Sequence, residues 1–371
     1  MIASARLDLT LGEAQAVLAR RLAQITPDEP PVRAPGQRPL VVLIGGPPGS
    51  GKSTTQWLLQ TSLGARSVAV YDFDDDITAH PRYDAIMRSR GMGGADEIAR
   101  NLPRGMMVRC LEHLRRGEPQ YDVIASAPLH RVPLATNWVD GFRAVGYRVA
   151  LVYVTTHEAN CRLGRASRFQ QALDDTGIGR WVRPELGDLA YRLVPDTAQE
   201  LESLAYVDDL YVVDRDGFVC YETHRGEDGR MPEPWLVKQE ILAERNRPPT
   251  PAEHEQFLAT AVPLLDRGDA LAALVIAEVR AAMTQHEARG APQPRPLILP
   301  NCLDHQVGDL RRFTTSGLAA PSTIAARSAT TAPSASGARG ASSAARASGT
   351  VGGARAPDAA GGARPGNTRD R

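Results

Sequence analysis

Gly46-Pro47-Pro48-Gly49-Ser50-Gly51-Lys52-Ser53 carries the strongest chemical signal in this chain and fits G-x-x-x-x-G-K-[ST]. Glycines at this spacing let backbone N–H groups converge on phosphate oxygens, and a following helix turns its positive end toward the same place. In that setting Lys52 sets a point charge between β- and γ-phosphates. Ser53 offers a hydroxyl to Mg²⁺, and Thr54 carries the loop into the helix. The chain has two lysines, Lys52 and Lys238, among 43 Lys plus Arg. In so arginine-biased a sequence, a lysine here points to a need for a compact ammonium rather than a planar guanidinium.

Binding a nucleoside triphosphate does not define a reaction. Phosphoryl transfer also needs a group that takes the acceptor's proton and positive charge on the transferring oxygens. Asp72-Phe73-Asp74-Asp75-Asp76 follows a short apolar run. The segment is expected to be nearly extended, so Asp72 and Asp74, two apart, point the same way, which suits a base and a carboxylate near the metal. Asp75 and Asp76 read as caps of the next helix. Arg162, Arg165, Arg168, Arg180 and Arg183 are candidates for the positive charge. The first three recur every three residues, so at least two share a helix face, and an arginine can grip a γ-phosphate through two parallel bonds.

The elements that must position these groups are legible in outline. Leu40 to Ile44 reads as a buried strand and Thr54 to Leu63 as a helix, the strand–turn–helix context a phosphate loop requires. Further strands are expected at 67–71, 121–125 and 147–154, and a hairpin at 209–213 and 218–221. Helices are expected at 9–25, 95–116 (broken near Pro103), 133–145, 157–173 and 184–205. Strands alternating with helices imply a mostly parallel sheet wrapped by helices, with ligands at its carboxyl edge. Three more helices are expected at 232–245, 251–267 and 269–289. The expected organisation is therefore an N-terminal helix and linker (1–39), a nucleotide domain (40–225), a helical extension (226–300) and an Ala/Ser/Gly/Arg-rich tail (301–371). The tail has almost no large apolar residues and is expected to be disordered.

Composition narrows the class. With 371 residues, 42% apolar and 23% charged, the chain has the balance of a water-soluble globular protein. Its formal net charge of zero gives no reason to expect a nucleic-acid partner. Met1 to Thr10 lacks the apolar core of a signal peptide, and no run approaches the length of a membrane span. The four cysteines are far apart and without metal-ligand spacing. A cytoplasmic protein with no membrane attachment is expected.

Taken together, four stretches resemble the zeta-toxin-type kinases, whose studied members phosphorylate UDP-N-acetylglucosamine. They are GGPPGSGKST; YDFDDDITAHPRYD, with Asp-x-Asp followed by His-Pro; Arg168-Phe169; and Arg180 in GIGRWVRPE. DLYVVDRDGFVCYE is similar to the family's last hairpin. The resemblance covers about 40–222 and implies a three-layer P-loop kinase fold that uses ATP and Mg²⁺. It implies that Asp74 is the catalytic base, that Lys52 and Ser53 serve the phosphates and metal, and that Arg168 and Arg180 face the transferring phosphate. Asp72 is then expected beside the metal and the acceptor, with Arg131 and Thr136 on the acceptor side. An antitoxin protein is an implied partner. One stretch departs from the family: its Glu-Gly-Thr after the third strand is Ala125-Ser126-Ala127 here. The donor half matches and the acceptor half is rewritten. This leaves open a kinase of another acceptor, such as an antibiotic or dinucleotide, and a nucleotide-binding regulatory protein.

Overall fold

The computed structural model describes residues 6–33, 35–267 and 271–295. The tail expected from 301 lies outside them. The sheet contains β1 (Leu40–Gly45), β2 (Val68–Asp72), β3 (Asp122–Ser126), β4 (Arg148–Val154), β5 (Asp209–Val213) and β6 (Val219–His224). Strand order is β2-β3-β1-β4-β5-β6; the first five run parallel and β6 is antiparallel. β1 lies inside the sheet and is buried along its whole length, which is why it reads as a continuous apolar run.

Alternate residues of each strand serve opposite layers. Val41 and Leu43 belong to one core, with α1 (Leu11–Ile25), α5 (Met106–Arg115), α6 (Val132–Arg143), α8 (Pro184–Ser203) and α9 (Val237–Asn246). Leu40, Val42 and Ile44 face α2 (Lys52–Leu63) through Leu58 and Leu59. A smaller core joins α3 (Tyr83–Arg90) and α4 (Gly94–Asn101). The last core packs α7 (Glu158–Thr176) against α10 (Pro251–Asp266) and α11 (Ala273–Glu287), through Leu163, Ala166 and Phe169 on Phe257, Ala261, Val275 and Val279. Among the described residues no helix is long and apolar enough to cross a membrane.

The expected α/β architecture is thus present, with element bounds shifted by a few residues, and two of the shifts have a local cause. The helix expected from 232 begins at Val237. Pro232 and Pro234 explain the delay, because proline lacks an N–H and disfavours helix in the residue before it. The helix expected to end at 173 runs on to Thr176 and stops at Gly177, which adopts φ 70°. The loop before Arg183 is correspondingly shorter.

Candidate active site

The loop between β1 and α2 folds around its glycines. A methyl group built on Gly49 would lie 2.2 Å from the carbonyl oxygen of Cys161, so only glycine lets the loop rest on α7. The contact is mutual: a methyl on Gly164 would lie 2.7 Å from the Gly49 carbonyl oxygen. Gly51 caps α2 at φ 110°, a conformation that strains other residues. The first turn of α2 leaves its N–H groups without intrahelical acceptors, at the positive end of the helix dipole. Lys52 Nζ spans the loop mouth, donating to the carbonyls of Gly46 at 3.0 Å and Pro47 at 3.2 Å. The Ser53 hydroxyl is exposed, whereas that of Ser50 is buried with no partner. Pro47, Pro48 and Thr54 complete the cradle, with the Thr54 N–H closing a 2.9 Å bond on the Gly51 carbonyl.

The acidic stretch is not extended. Asp72 ends β2, and Phe73–Ala79 form a 3-10 helix. The Asp72 carboxylate accepts the Asp74 N–H at 2.8 Å and so caps that helix. The capping role expected of Asp75 and Asp76 therefore belongs to Asp72. Asp76 is buried instead, accepting Arg21 Nε at 2.9 Å and the Tyr71 hydroxyl at 2.8 Å. Arg21, on α1, also donates to the Asp72 carbonyl at 2.9 Å. One buried guanidinium thus pins both ends of the candidate catalytic segment. Asp76→Ala would leave that guanidinium with the longer 3.7 Å contact to Asp75 and the Asp72 carbonyl, a loss of about 3 kcal/mol. Urea unfolding should show it as a large drop in midpoint, and a change under about 1 kcal/mol would mean Arg21 finds another partner.

The candidate arginines separate. At about 100° per residue, Arg162 and Arg168 diverge by about 120° around α7. Arg162 is paired with Glu158 at 2.8 Å, Asp188 at 2.9 Å and Glu278 at 2.9 Å. Arg165 is paired with Glu278 at 2.9 Å and Asp188 at 3.5 Å. Both fasten α7 to α8 and α11, which removes them as phosphate ligands. Arg183 pairs with Asp96 at 2.9 Å on the surface. Arg168, by contrast, is exposed and has no hydrogen bond or ion pair among the described residues. Arg180 donates to Asp74 Oδ1 at 2.8 Å, leaving Oδ2 open.

Lys52, Asp72, Asp74, Arg168 and Arg180 form one electrostatic cluster. Burial lowers the Lys52 pKa, with Asp74 and Asp72 opposing the shift. Burial, and then the charges of Asp74 and Asp75, push Asp72 up to about 6. Burial also works against the Asp74 anion, but Arg180 outweighs it, and the Asp74 pKa falls below the usual carboxylate range. Desolvation lowers the Arg168 pKa although the side chain reaches solvent, the behaviour of a group set in a recess. Asp72 is thus a carboxylate short of positive charge, beside the phosphate cradle. That chemistry fits Mg²⁺, which binds through one or two protein oxygens plus phosphate oxygens. Among the described residues no cluster of three or more His, Cys, Asp or Glu could hold a metal by itself.

Of the residues expected on the acceptor side, Arg131 is the exposed N-cap residue of α6, and the Thr136 hydroxyl donates to the Pro133 carbonyl, 3.4 Å away. Ala125 is buried within the sheet core. Ser126 pairs in register with Asp72 and Ile44, and its hydroxyl is buried without a partner. Sequence reasoning missed Arg245 of α9. Its buried guanidinium stacks 3.9 Å over the Tyr191 ring and donates to Thr155 Oγ1 at 3.2 Å, beyond the end of β4. Helical periodicity could place Arg245 on a helix but could not show that it reaches the sheet edge.

The family model described as Zeta toxin matches residues 23–225, more than half of the chain. A search of curated proteins gives no match. Among solved structures, a chain of the PezAT chromosomal toxin–antitoxin system of Streptococcus pneumoniae superposes with a TM-score of 0.56 at 18% identity, over 70% of this chain and 97% of that one. The AvrRxo1-ORF1:-ORF2 structure with ATP gives a TM-score of 0.34 at 12% identity, over 74% of this chain and 82% of that one, too loose a fit to bear on the fold. The strand order, the phosphate loop and the match over 23–225 lead to one conclusion: this chain belongs to the zeta-toxin family and has its P-loop kinase fold.

Proposed function

We propose that this protein is a kinase that transfers the γ-phosphate of ATP to a hydroxyl of a small acceptor, in its sharpest form a sugar-nucleotide such as UDP-N-acetylglucosamine. The observation that carries the reading is that Lys52, Asp74, Arg168 and Arg180 act on one another's charges, with Arg180 bonded to Asp74 at 2.8 Å. With Asp72 set aside for the metal, a second carboxylate paired with an arginine beside the phosphate lysine favours transfer over binding alone. Asp74 Oδ2 takes the acceptor's hydroxyl proton as that oxygen bonds to the γ-phosphorus, and the bond to the β-phosphate oxygen breaks. Lys52, Arg168 and Arg180 face the charge on the transferring oxygens. Ser53 and Asp72 would hold Mg²⁺, which supplies further charge neutralisation when bound. Arg131 and Thr136 lie on the helix that follows β3 and are proposed acceptor contacts.

A second acceptor class is favoured by one observation. At the position where the resemblance expects a glutamate, Ala125 packs inside the sheet core, and the next residue offers a buried hydroxyl, that of Ser126. A sugar hydroxyl left unpaired there would bind poorly. The test is transfer of label from γ-labelled ATP, first to UDP-N-acetylglucosamine and then across a bacterial metabolite extract. Label in the sugar-nucleotide supports the sharp reading. Label in another hydroxyl compound moves the acceptor and keeps the kinase. No acceptor-dependent transfer would overturn the proposal. PezAT is described as a toxin–antitoxin system, and this supports an antitoxin partner here. Expression of the chain alone in bacteria should then arrest growth.

A further inference from the structure

The turn between β5 and β6 lies against the phosphate loop. A methyl group built on Gly51 would lie 3.0 Å from Arg215 Cγ and 3.1 Å from the Arg215 carbonyl oxygen. Arg215 is exposed, and its guanidinium has no hydrogen bond or ion pair among the described residues. Its backbone, by contrast, is firmly set. Asp214 is buried, and its Oδ1 accepts the N–H groups of Asp216 at 3.0 Å and Phe218 at 2.9 Å. Its Oδ2 is paired with Arg295, which also donates to Glu244 at 3.1 Å. Glu244 in turn is paired with Arg247 at 2.8 Å. Residues 244, 247 and 295 all lie beyond the stretch that matches the family, so the C-terminal extension fixes the turn that carries Arg215.

Strand order tells which end of a nucleotide Arg215 would meet. Along the carboxyl edge, β2 with Asp72 is on one side of β1, and β4 and β5 are on the other. A triphosphate cradled after β1, with its γ-phosphate toward Asp72 and Asp74, extends its nucleoside toward the β5 side. An unpaired guanidinium there is matched to a flat aromatic base, on which it can stack.

We propose that Arg215 stacks on the nucleobase of the phosphate donor, and that Arg295, through Asp214, is a positioning residue that presets it. This rests on the donor site proposed above. The test uses the full chain and titration calorimetry with two probes, Mg·ATP and inorganic tripolyphosphate with Mg²⁺. Arg215→Ala should weaken ATP about tenfold while tripolyphosphate stays within about twofold. Arg295→Ala should raise the KM for ATP about threefold or more with kcat retained, and Arg295→Lys should restore it. Arg215 is exposed, so its variant should melt with the wild type. Equal losses for ATP and tripolyphosphate would overturn the stacking role, as would unchanged ATP binding in Arg215→Ala. A loss in Arg295→Ala confined to kcat would overturn the positioning role. A wild type that binds neither probe would remove the donor site itself, and with it this inference.

Discussion

Asp74→Asn should lower phosphotransfer by about 10²- to 10⁴-fold while Mg·ATP affinity changes only a few-fold. Asparagine keeps the side-chain shape and an oxygen for the Arg180 N–H, but it cannot take a proton. Lys52, Ser53 and the loop amides are untouched, so the donor should still bind. Initial rates and ATP titration on the same preparation separate the two effects. If the protein arrests bacterial growth, the same substitution should make it harmless. A variant within about threefold of the wild-type rate would remove Asp74 as the base.

Arg168→Ala and Arg180→Ala should each reduce turnover by about 10²-fold or more, with a smaller effect on ATP binding. The two should not be equivalent. Arg168 has no partner to release among the described residues, so its removal withdraws only charge from the transferring oxygens. Arg180 also holds Asp74 Oδ1 at 2.8 Å, so its removal withdraws charge and frees the carboxylate. The larger loss is therefore expected in Arg180→Ala, and its effect should be non-additive with Asp74→Asn in a double-mutant cycle. Unchanged turnover in either single variant would return that arginine to the surface charge of the protein.

The phosphate loop was legible because its chemistry is local: the glycines, lysine and hydroxyl that meet the ligand are sequence neighbours. Strand and helix positions followed from apolar periodicity, which a buried parallel sheet makes strong. The arginines were harder. Arg162, Arg165 and Arg168 look alike in sequence, and beside the local Glu158 it is the distant acidic residues Asp188 and Glu278 that tie up the first two. Asp76 was read as a cap because its partner, Arg21, lies 55 residues away. The extended reading of Asp72 to Asp76 failed because a carboxylate at a strand end can bond to the backbone two residues on and start a turn. Arg215 sits in what reads as an ordinary hairpin turn, and no local pattern announces its approach to Gly51.

The contact between Gly49 and Gly164 leaves no gap between the phosphate loop and α7. The two therefore share their displacements: when the helix shifts, the loop shifts with it. Arg168 rides on that helix, while Arg180 lies past its end at Gly177. The backbone that carries Arg168 is therefore set against the phosphate loop, whereas the Arg180 side chain is held by its 2.8 Å bond to Asp74. Arg168 is thus registered to the loop through its main chain, and Arg180 is registered to the acidic segment through its side chain.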